Sequence, residues 1–161
     1  MKTICADYFR LILVKVNNMD KPVVIGFYGY SDSGKTVLVE RLIQELTSRG
    51  KKIVAIKQSS HSVSMDTQGK DTCRFTQAGA DPVVLSTPIE TDIKINKSME
   101  IDEIIKFITT FQLVDFIFVE SVRDAEIRKI RLGDIELREN TIWTYDGNFE
   151  ELVNKILNGG E

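Results

Sequence analysis

The stretch VVIGFYGYSDSGKT, residues 23–36, decides the fold of this chain. Its first part, residues 23–29, is an almost continuous apolar run, which is typical of a parallel strand covered on both faces. Its second part, residues 29–36, fits G-x-x-x-x-G-K-[ST], the phosphate-binding P-loop. A helical pattern begins at Lys35. A buried strand that leads through this loop into a helix predicts an α/β protein with the P-loop NTPase fold.

The residue types of the loop suit a phosphate chain. Gly29 and Gly34 allow backbone conformations and a close approach that a Cβ would obstruct. Backbone amides and the helix N-terminus then attract the anion. Lys35 supplies a positive charge for the β- and γ-phosphates, and Thr36 supplies a hydroxyl ligand for Mg²⁺. The predicted nucleotide contacts are Gly29, Tyr30, Ser31, Asp32, Ser33, Gly34, Lys35 and Thr36. The alternative is a glycine-containing turn with an incidental lysine, against which the flanking strand and helix argue.

Outward from the loop, short apolar runs alternate with helical patterns, which predicts a mostly parallel sheet flanked by helices on both faces in three layers. The predicted strands are residues 23–29, 52–59, 82–87, 91–96, 114–121 and 141–145, and residues 127–137 are predicted to be extended. The predicted helices are residues 35–50, 71–78, 98–111 and about 149–157. Since no repeat or linker interrupts them, we expect residues 22–161 to form one P-loop nucleotide-binding domain.

Residues 1–21 are predicted to be a weakly ordered N-terminal extension. Asp7 and Arg10 interrupt the apolar stretch, and no small-residue cleavage site follows, so the pattern does not fit a secretory signal. Two alternatives stay open: residues 11–16 form an extra edge strand, or Met19 is the biological start. We expect truncation to Met19 to leave folding and ligand binding intact.

Composition narrows the function classes. The net charge of −3 disfavours a protein that binds nucleic acid through its phosphate backbone. Cys5 and Cys73 are too few for a disulfide scaffold and lack C-x-x-C spacing, as expected of reduced intracellular thiols. No apolar run approaches the ~20 residues that cross a bilayer. We therefore expect a cytoplasmic protein with no nucleic-acid or membrane partner.

Acidic residues near strand ends are candidates for the metal site. Mg²⁺ bound to phosphates usually needs an acidic partner, and Glu120 stands at the tip of the apolar run FIFVE. Asp66, in the loop after the second predicted strand, is a second candidate. Either carboxylate has an alternative role as a solvated surface group. Asp115 begins its strand and is expected to be structural at the opposite edge, whereas His61 fits a surface residue as well as a functional one.

Beyond the P-loop, the chain resembles the molybdopterin-guanine dinucleotide biosynthesis protein B (MobB) family from about residue 22 onward. The family's G-x-S-x-S-G-K-T loop is matched by residues 29–36. Its lysine, histidine-bearing loop and D-x-x-G-K-D motif are matched in KQSSHSVSMDTQGKD by Lys57, His61, Asp66, Gly69, Lys70 and Asp71, and its later arginine and A-G-A by Arg74 and residues 78–80.

The resemblance implies a GTP-binding protein with feeble GTPase activity, typically a homodimer. Such proteins assist a MobA-type guanylyltransferase, which attaches GMP to molybdopterin to complete the molybdenum or tungsten cofactor. By similarity, Thr36, Asp66 and Glu120 would surround Mg²⁺, and Lys57 would join the GTP-binding residues. No residue is assigned a catalytic role.

The chain departs from the family pattern at two places. Gln58 stands where the family usually has histidine, and Glu120-Ser121-Val122-Arg123 replaces E-G-[FY]-K. The rival hypothesis is a small-molecule kinase or ATP-dependent ligase, in which Arg123, Arg128 and Arg131 would close over the phosphoryl group. A solvated strand face explains these arginines equally well. A nucleotide-free scaffold is a third option, against which Lys35 and Thr36 argue.

Overall fold

A computed structural model describes residues 21–61 and 69–159. Its strands are β1 (Val23–Gly29), β2 (Ile53–Lys57), β3 (Val83–Ser86), β4 (Thr91–Lys94), β5 (Phe116–Glu120), β6 (Arg128–Leu132) and β7 (Thr141–Tyr145). Its helices are α1 (Lys35–Ser48), α2 (Asp71–Gln77), α3 (Ile101–Phe111) and α4 (Phe149–Leu157). Every predicted strand and helix is present, and α3 begins at Ile101 rather than at residue 98. The predicted N-terminal extension up to residue 20, including its alternatives, and Asp66 lie outside the described residues.

Five strands form one parallel sheet in the order β2-β5-β1-β6-β7. The register places Phe27 of β1 opposite Glu120 of β5, and Glu120 opposite Lys57 of β2. Because the strands are parallel, their carboxyl ends meet at one edge of the sheet, and the loop between β1 and α1 begins there. The predicted P-loop NTPase-like α/β architecture is confirmed.

Helices cover both faces of this sheet because its central strands are apolar on both sides. On one face, Ile25 and Phe27 of β1 pack with Leu42 of α1 and Leu152 of α4. On the other face, residues including Ile117 and Val119 of β5 pack with Ile101 of α3. The predicted three-layer arrangement is therefore correct.

Helix α1 follows directly from its sequence. Leu38, Val39, Leu42 and Leu46 recur at helical spacing and are all buried against the sheet. The helix ends where Gly50 adopts a φ of 77° and its N–H donates to the Thr47 carbonyl over 2.9 Å. A left-handed residue of this kind stops a helix, and the result is a rigid support whose first turn lies at the carboxyl edge of the sheet.

The described residues divide into two compact units within the range that the sequence predicts to be one domain. One unit is Ser59–Glu100, and the other contains the remaining described residues. The Ser59–Glu100 unit contains α2 and an antiparallel pair of β3 with β4. Its exposed large apolar residues are Phe75, Val84, Leu85, Ile89 and Ile93. In neither described unit does a helix combine the length and the apolar character that crossing a bilayer requires.

Candidate functional site

The loop between β1 and α1 needs both of its glycines. A Cβ on Gly29 would lie 2.6 Å from the Leu132 carbonyl oxygen and 2.7 Å from Ser33 Oγ. Gly34 adopts a φ of 82°, a left-handed conformation, immediately before α1. Gly29 is thus required by close packing and Gly34 by its backbone angle, as the motif predicts.

Lys35 is buried beneath the same loop. Its Nζ donates to the carbonyl oxygens of Gly29, over 3.2 Å, and Tyr30, and lies 3.3 Å from Ser33 Oγ. All three acceptors are neutral oxygens of the loop itself. They satisfy the donors of the ammonium group without neutralising its charge, which leaves that charge available to an anion.

The amino end of α1 has no anionic or side-chain cap of its own. Gly34, at the capping position, has no side chain to accept from the first-turn amides, and no acidic residue lies in the first turn. The first turns of the other described helices all contain acidic residues, namely Asp71 in α2, Asp102 and Glu103 in α3, and Glu150 and Glu151 in α4. The free amides and the positive end of the α1 dipole can therefore accept an anion from outside.

A carboxylate stands beside the loop, at the end of β5. Glu120 Oε1 accepts a hydrogen bond from Thr36 Oγ1 over 3.0 Å and lies 3.6 Å from Lys57 Nζ. The Glu120 side chain is only 12% exposed, whereas that of Lys57 is 68% exposed. The structure thus brings together three of the residues that the sequence analysis associates with nucleotide or metal, while Asp66 lies outside the described residues.

The Thr36 hydroxyl and the Glu120 carboxylate fit a bound Mg²⁺, since this ion takes oxygen ligands and usually retains several waters. Within residues 21–61 and 69–159, no cluster of three or more histidine, cysteine or acidic side chains could hold a metal by itself. Thr36 and Glu120 would need further oxygen ligands, among which the sequence analysis predicts Asp66.

The two departures from the family pattern lie next to Glu120. The Gln58 N–H donates to the Glu120 carbonyl over 3.0 Å, and the buried Gln58 Oε1 has no partner among the described residues. Ser121 adopts a φ of 65°, and its N–H donates to the Phe27 carbonyl over 2.9 Å. Ser121 therefore occupies a left-handed position that favours glycine, and this backbone bond fixes the turn beside the site.

The loop that follows β5 is anchored by residues that the sequence analysis missed. Val122 is fully buried against Gly26, where an added Cβ would lie 2.2 Å from Val122 Cγ1. Arg138 Nη1 donates to the Val122 carbonyl over 2.8 Å, and its guanidinium stacks 4.7 Å from the centre of the Tyr28 ring. The loop is thus fixed on the face of the sheet that α3 covers.

Lys129 also stabilises the loop that follows β5. Its side chain is buried, and its Nζ donates to the carbonyls of Ala125, Ile127 and Glu139 over 3.1, 2.6 and 3.0 Å. Burial lowers the pKa of Lys129 because it penalises the charged form. The run Arg128-Lys129-Ile130-Arg131 gives no local signal of this burial.

The arginines of the rival kinase hypothesis are not assembled into one cluster. Arg128 and Arg131 are three residues apart on β6 and therefore point to opposite faces of the sheet. Arg131 is committed to Thr144 Oγ1, over 3.1 Å, and to the Ile135 carbonyl, over 2.8 Å. Arg123 is exposed.

Asp115 has the structural position that the sequence predicts, and the exposure of His61 fits either of the two roles that the sequence left open. Asp115 lies at the opposite edge of the sheet, where its Oδ2 accepts from the Lys52 N–H over 2.7 Å and its carbonyl accepts from the Val23 N–H over 2.9 Å. His61 is exposed, and its backbone bonds to the Ser59 hydroxyl.

Comparison with known sequences decides the family. Residues 24–153 match the family described as Molybdopterin guanine dinucleotide synthesis protein B, MobB. This chain belongs to the MobB family. A molybdopterin-guanine dinucleotide biosynthesis adapter protein of Haemophilus influenzae is 35% identical over 130 residues, which is 78% of this chain and 72% of that protein.

A putative adapter protein of the same description from Methanocaldococcus jannaschii is 35% identical over 102 residues. That match covers 63% of this MobB-family chain but only 42% of the longer relative. Among solved structures, Bacillus subtilis MobB superposes with a TM-score of 0.66 at 18% identity, covering 84% of this chain and 96% of the other. At this identity the superposition supports the fold alone.

Proposed function

We propose that this chain is a GTP-binding adapter in molybdopterin-guanine dinucleotide biosynthesis. It would assist a MobA-type guanylyltransferase, which attaches GMP to molybdopterin, and we expect it to act in the cytoplasm. Family membership and the names of the relatives support the adapter role. The observation that carries nucleotide binding is the Lys35 ammonium group, held under the loop by neutral oxygens beside an uncapped helix end.

The residues of the site divide the work of holding a triphosphate. The amides at the start of α1 and the Lys35 ammonium group would bind phosphate oxygens. The Thr36 hydroxyl and the Glu120 carboxylate, with Asp66 as a third ligand, would hold Mg²⁺, which offsets the phosphate charge when bound. Lys57 lies beside Glu120, where it orients that carboxylate and adds a second cation to the site.

Weak hydrolysis is the expected activity. Rapid phosphoryl transfer needs a group that orients water and usually an arginine that stabilises the developing charge. Arg131 is already bonded to Thr144 and Ile135. We therefore expect slow turnover by this chain alone, and the adapter role named for its relatives supports a partner that recognises the bound state.

Calorimetric titration with GTPγS and ATPγS, each with and without Mg²⁺, tests the nucleotide assignment. We expect Mg²⁺-dependent binding of GTPγS at least tenfold tighter than that of ATPγS, and no binding by Lys35→Ala. Equal affinities would contradict the guanine preference. A small-molecule acceptor that raises turnover by orders of magnitude would instead favour the kinase or ligase hypothesis.

The partner assignment needs its own measurement. A purified MobA-type guanylyltransferase, labelled with a fluorophore, is titrated with this chain in the presence of GTPγS or GDP. We expect binding that is tighter with GTPγS, and we expect Lys35→Ala to remove this nucleotide dependence. Binding that ignores the nucleotide would contradict an adapter that acts through its GTP-bound state.

We also propose that the chain forms a homodimer through the β3–β4 pair. Neither strand pairs with any other described strand, and an isolated two-stranded sheet is marginal in water. Val84 and Ile93 stand opposite each other and are 53% and 46% exposed. Sedimentation equilibrium should give a dimer for the wild type and a monomer for Ile93→Asp, while Asp92→Asn should remain dimeric. A monomeric wild type would contradict the proposal.

A further inference from the structure

A carboxylate lies at the carboxyl edge of the sheet on the side of β1 opposite Glu120. The strand order β5-β1-β6-β7 puts the end of β7 two strands from the end of β1, or ~10 Å across the sheet. Asp146 directly follows β7, and its side chain is exposed. In the part of the chain that the structure describes, no lysine, arginine or histidine forms an ion pair with it. The Asp146 carboxylate therefore retains acceptor sites for a ligand.

A contact between two helices places the loop of Asp146 beside the first turns of α1. The Arg41 guanidinium lies 4.1 Å from the centre of the Phe149 ring. Phe149 is the first residue of α4, and residues 146–148 connect it to β7. Arg41 follows Lys35 by less than two helical turns, so this contact lies ~9 Å along α1 from the P-loop. A nucleoside triphosphate is longer than either separation, so its base can reach residues 146–148 while its phosphates occupy the P-loop.

The metal ligands indicate which end of a nucleotide would face β7. Mg²⁺ bridges the β- and γ-phosphate oxygens of a nucleotide. Its proposed ligand Glu120 lies on β5, and its proposed ligand Thr36 bonds to that carboxylate. Since β5 and β6 flank β1 on opposite sides, the terminal phosphates would face β5. The nucleoside would then extend over β6 toward β7 and Asp146.

The Asp146 carboxylate has the acceptors that guanine requires. Its Oδ1 accepts from the backbone N–H of Asn148 over 2.9 Å, and an ionised carboxylate offers about four acceptor sites on its two oxygens. Guanine presents two neighbouring donors, N1–H and the C2 amino group, which one carboxylate can accept together. Adenine presents an acceptor at N1 instead, which a carboxylate repels. A carboxylate at this position thus distinguishes the two bases, whereas the turn before α4 would need only one acceptor atom.

Asp134, which follows β6, is less suited to this role. Its Oδ1 lies 3.8 Å from Arg131 Nη1, so it already has a cationic partner. The register pairs the last residue of β6, Leu132, with Gly29 of the P-loop. Asp134 therefore lies close to where the phosphates would bind, one strand short of the base.

We propose that Asp146 recognises the guanine base of the bound nucleotide and gives this site its preference for GTP over ATP. The inference rests on the proposed nucleotide binding and deepens it, because contacts to phosphate alone do not distinguish the two nucleotides. Asp146 would determine specificity and would take no part in phosphoryl transfer.

Calorimetric titration with GDP and with xanthosine diphosphate (XDP), each with Mg²⁺, tests this role. Xanthine has a carbonyl oxygen where guanine has the C2 amino group, so it matches the amide of asparagine better than a carboxylate. Asp146→Asn retains an acceptor for the Asn148 N–H, and Asp134→Asn is the matched control. We expect the wild type to bind GDP roughly tenfold tighter than XDP, and Asp146→Asn to bind XDP roughly tenfold tighter than GDP. Asp134→Asn should keep the wild-type preference.

A preference for GDP that Asp146→Asn retains overturns the inference, as does a reversed preference in Asp134→Asn. Equal weakening of both nucleotides in Asp146→Asn also overturns it, because that result would reflect the turn before α4 rather than the base. If the wild type binds GDP and XDP equally, nucleotide binding stands and only the inference fails. If the wild type binds neither GDP nor GTPγS, the proposed function fails and the inference fails with it.

Discussion

Helices α1 and α4 pack on the same face of the sheet, yet their first turns are completed in opposite ways. At α4, Asn148 Oδ1 accepts from the Glu151 N–H over 3.2 Å, and Glu150 and Glu151 place negative charge at the positive end of the dipole. At α1, Gly34 provides no cap, and the third helical residue is Val37 where α4 has Glu151. One helix end is satisfied by its own side chains, and the other is left for a ligand.

The two helix ends contribute to different properties of the protein: the first turn of α4 to stability, and that of α1 to anion binding. A capped first turn adds to the free energy of unfolding, whereas an uncapped one gives up that contribution and retains its donors for an anion. The same division holds for the charges: Lys35 is held only by neutral loop oxygens, whereas α4 supplies its own counter-charges. Substitutions at the amino end of α4 should therefore change the free energy of unfolding, and charge substitutions at the amino end of α1 should change the affinity for nucleotide.

The largest effect is expected from Gly29→Ala, because the new Cβ would collide with the Leu132 carbonyl oxygen and Ser33 Oγ. We expect a loss of about 2 kcal/mol in the free energy of unfolding, measured by urea denaturation with the fluorescence of Trp143. Gly147→Ala, beside the α4 cap, is the control: its Cβ meets open space, so only its φ of 105° is strained, and the loss should be about 1 kcal/mol. An unchanged midpoint for Gly29→Ala would contradict the packing argument.

Val37→Glu would give α1 the acidic third residue that α4 already has. Val37 is 60% exposed, so the change fits sterically. We expect the affinity for GTPγS, measured by calorimetry, to fall about tenfold, or ~1.4 kcal/mol. The nucleotide-free protein should gain about 0.5 kcal/mol in the free energy of unfolding from the helix dipole. Val37→Gln should do neither, and a Val37→Glu variant that binds as tightly as wild type would show that the helix end does not receive the anion.

Asn148→Ala removes the cap of α4 and should cost about 1 kcal/mol in the free energy of unfolding, again measured in urea. Its affinity for GTPγS should match that of the wild type, because no part of the proposed site is changed. Asn148→Asp keeps a cap acceptor and should retain most of the stability. Weakened nucleotide binding in Asn148→Ala would break the separation between the two helix ends.

The smallest effect is expected at the turn after β5, where Ser121 adopts a positive φ, like Gly34, but is not glycine. Ser121→Gly should raise the free energy of unfolding by about 0.5 kcal/mol, because relief of the left-handed strain exceeds the added freedom of the unfolded chain. Ser121→Ala keeps the strain and should show no gain. A loss of stability in Ser121→Gly would mean that the serine hydroxyl contributes more than the backbone angle costs.

Local patterns predicted the elements better than they predicted their partners. The spacing of apolar residues in α1 and the unbroken apolar run of β1 are short-range signals, and both identify structure that the sheet then confirms. The strands β3 and β4 were also predicted, but their antiparallel pairing in a separate sheet was not. Pairing depends on distant residues and on register, which period alone does not specify.

In the functional site, too, residues of a local motif were predicted, and residues that depend on distant partners were missed. The P-loop residues are consecutive, so a motif identifies them together, and the pairing of Thr36 with Glu120 followed from strand order. Lys129 was missed because its burial depends on carbonyls from two loops, at Ala125 and Glu139. The positive φ of Asp32, 60°, was missed because aspartate adopts such an angle only occasionally, whereas glycine adopts it readily.

The central claim is that the loop before α1 binds a nucleoside triphosphate through the Lys35 ammonium group. Thermal unfolding of the wild type and of Lys35→Ala, each with and without GTPγS and Mg²⁺, tests it most directly. With ligand at about a hundredfold over the Kd, we predict that the wild-type Tm rises by about 5 °C or more and that the Tm of Lys35→Ala does not change. An equal rise in both proteins, or no rise in the wild type, would contradict the account.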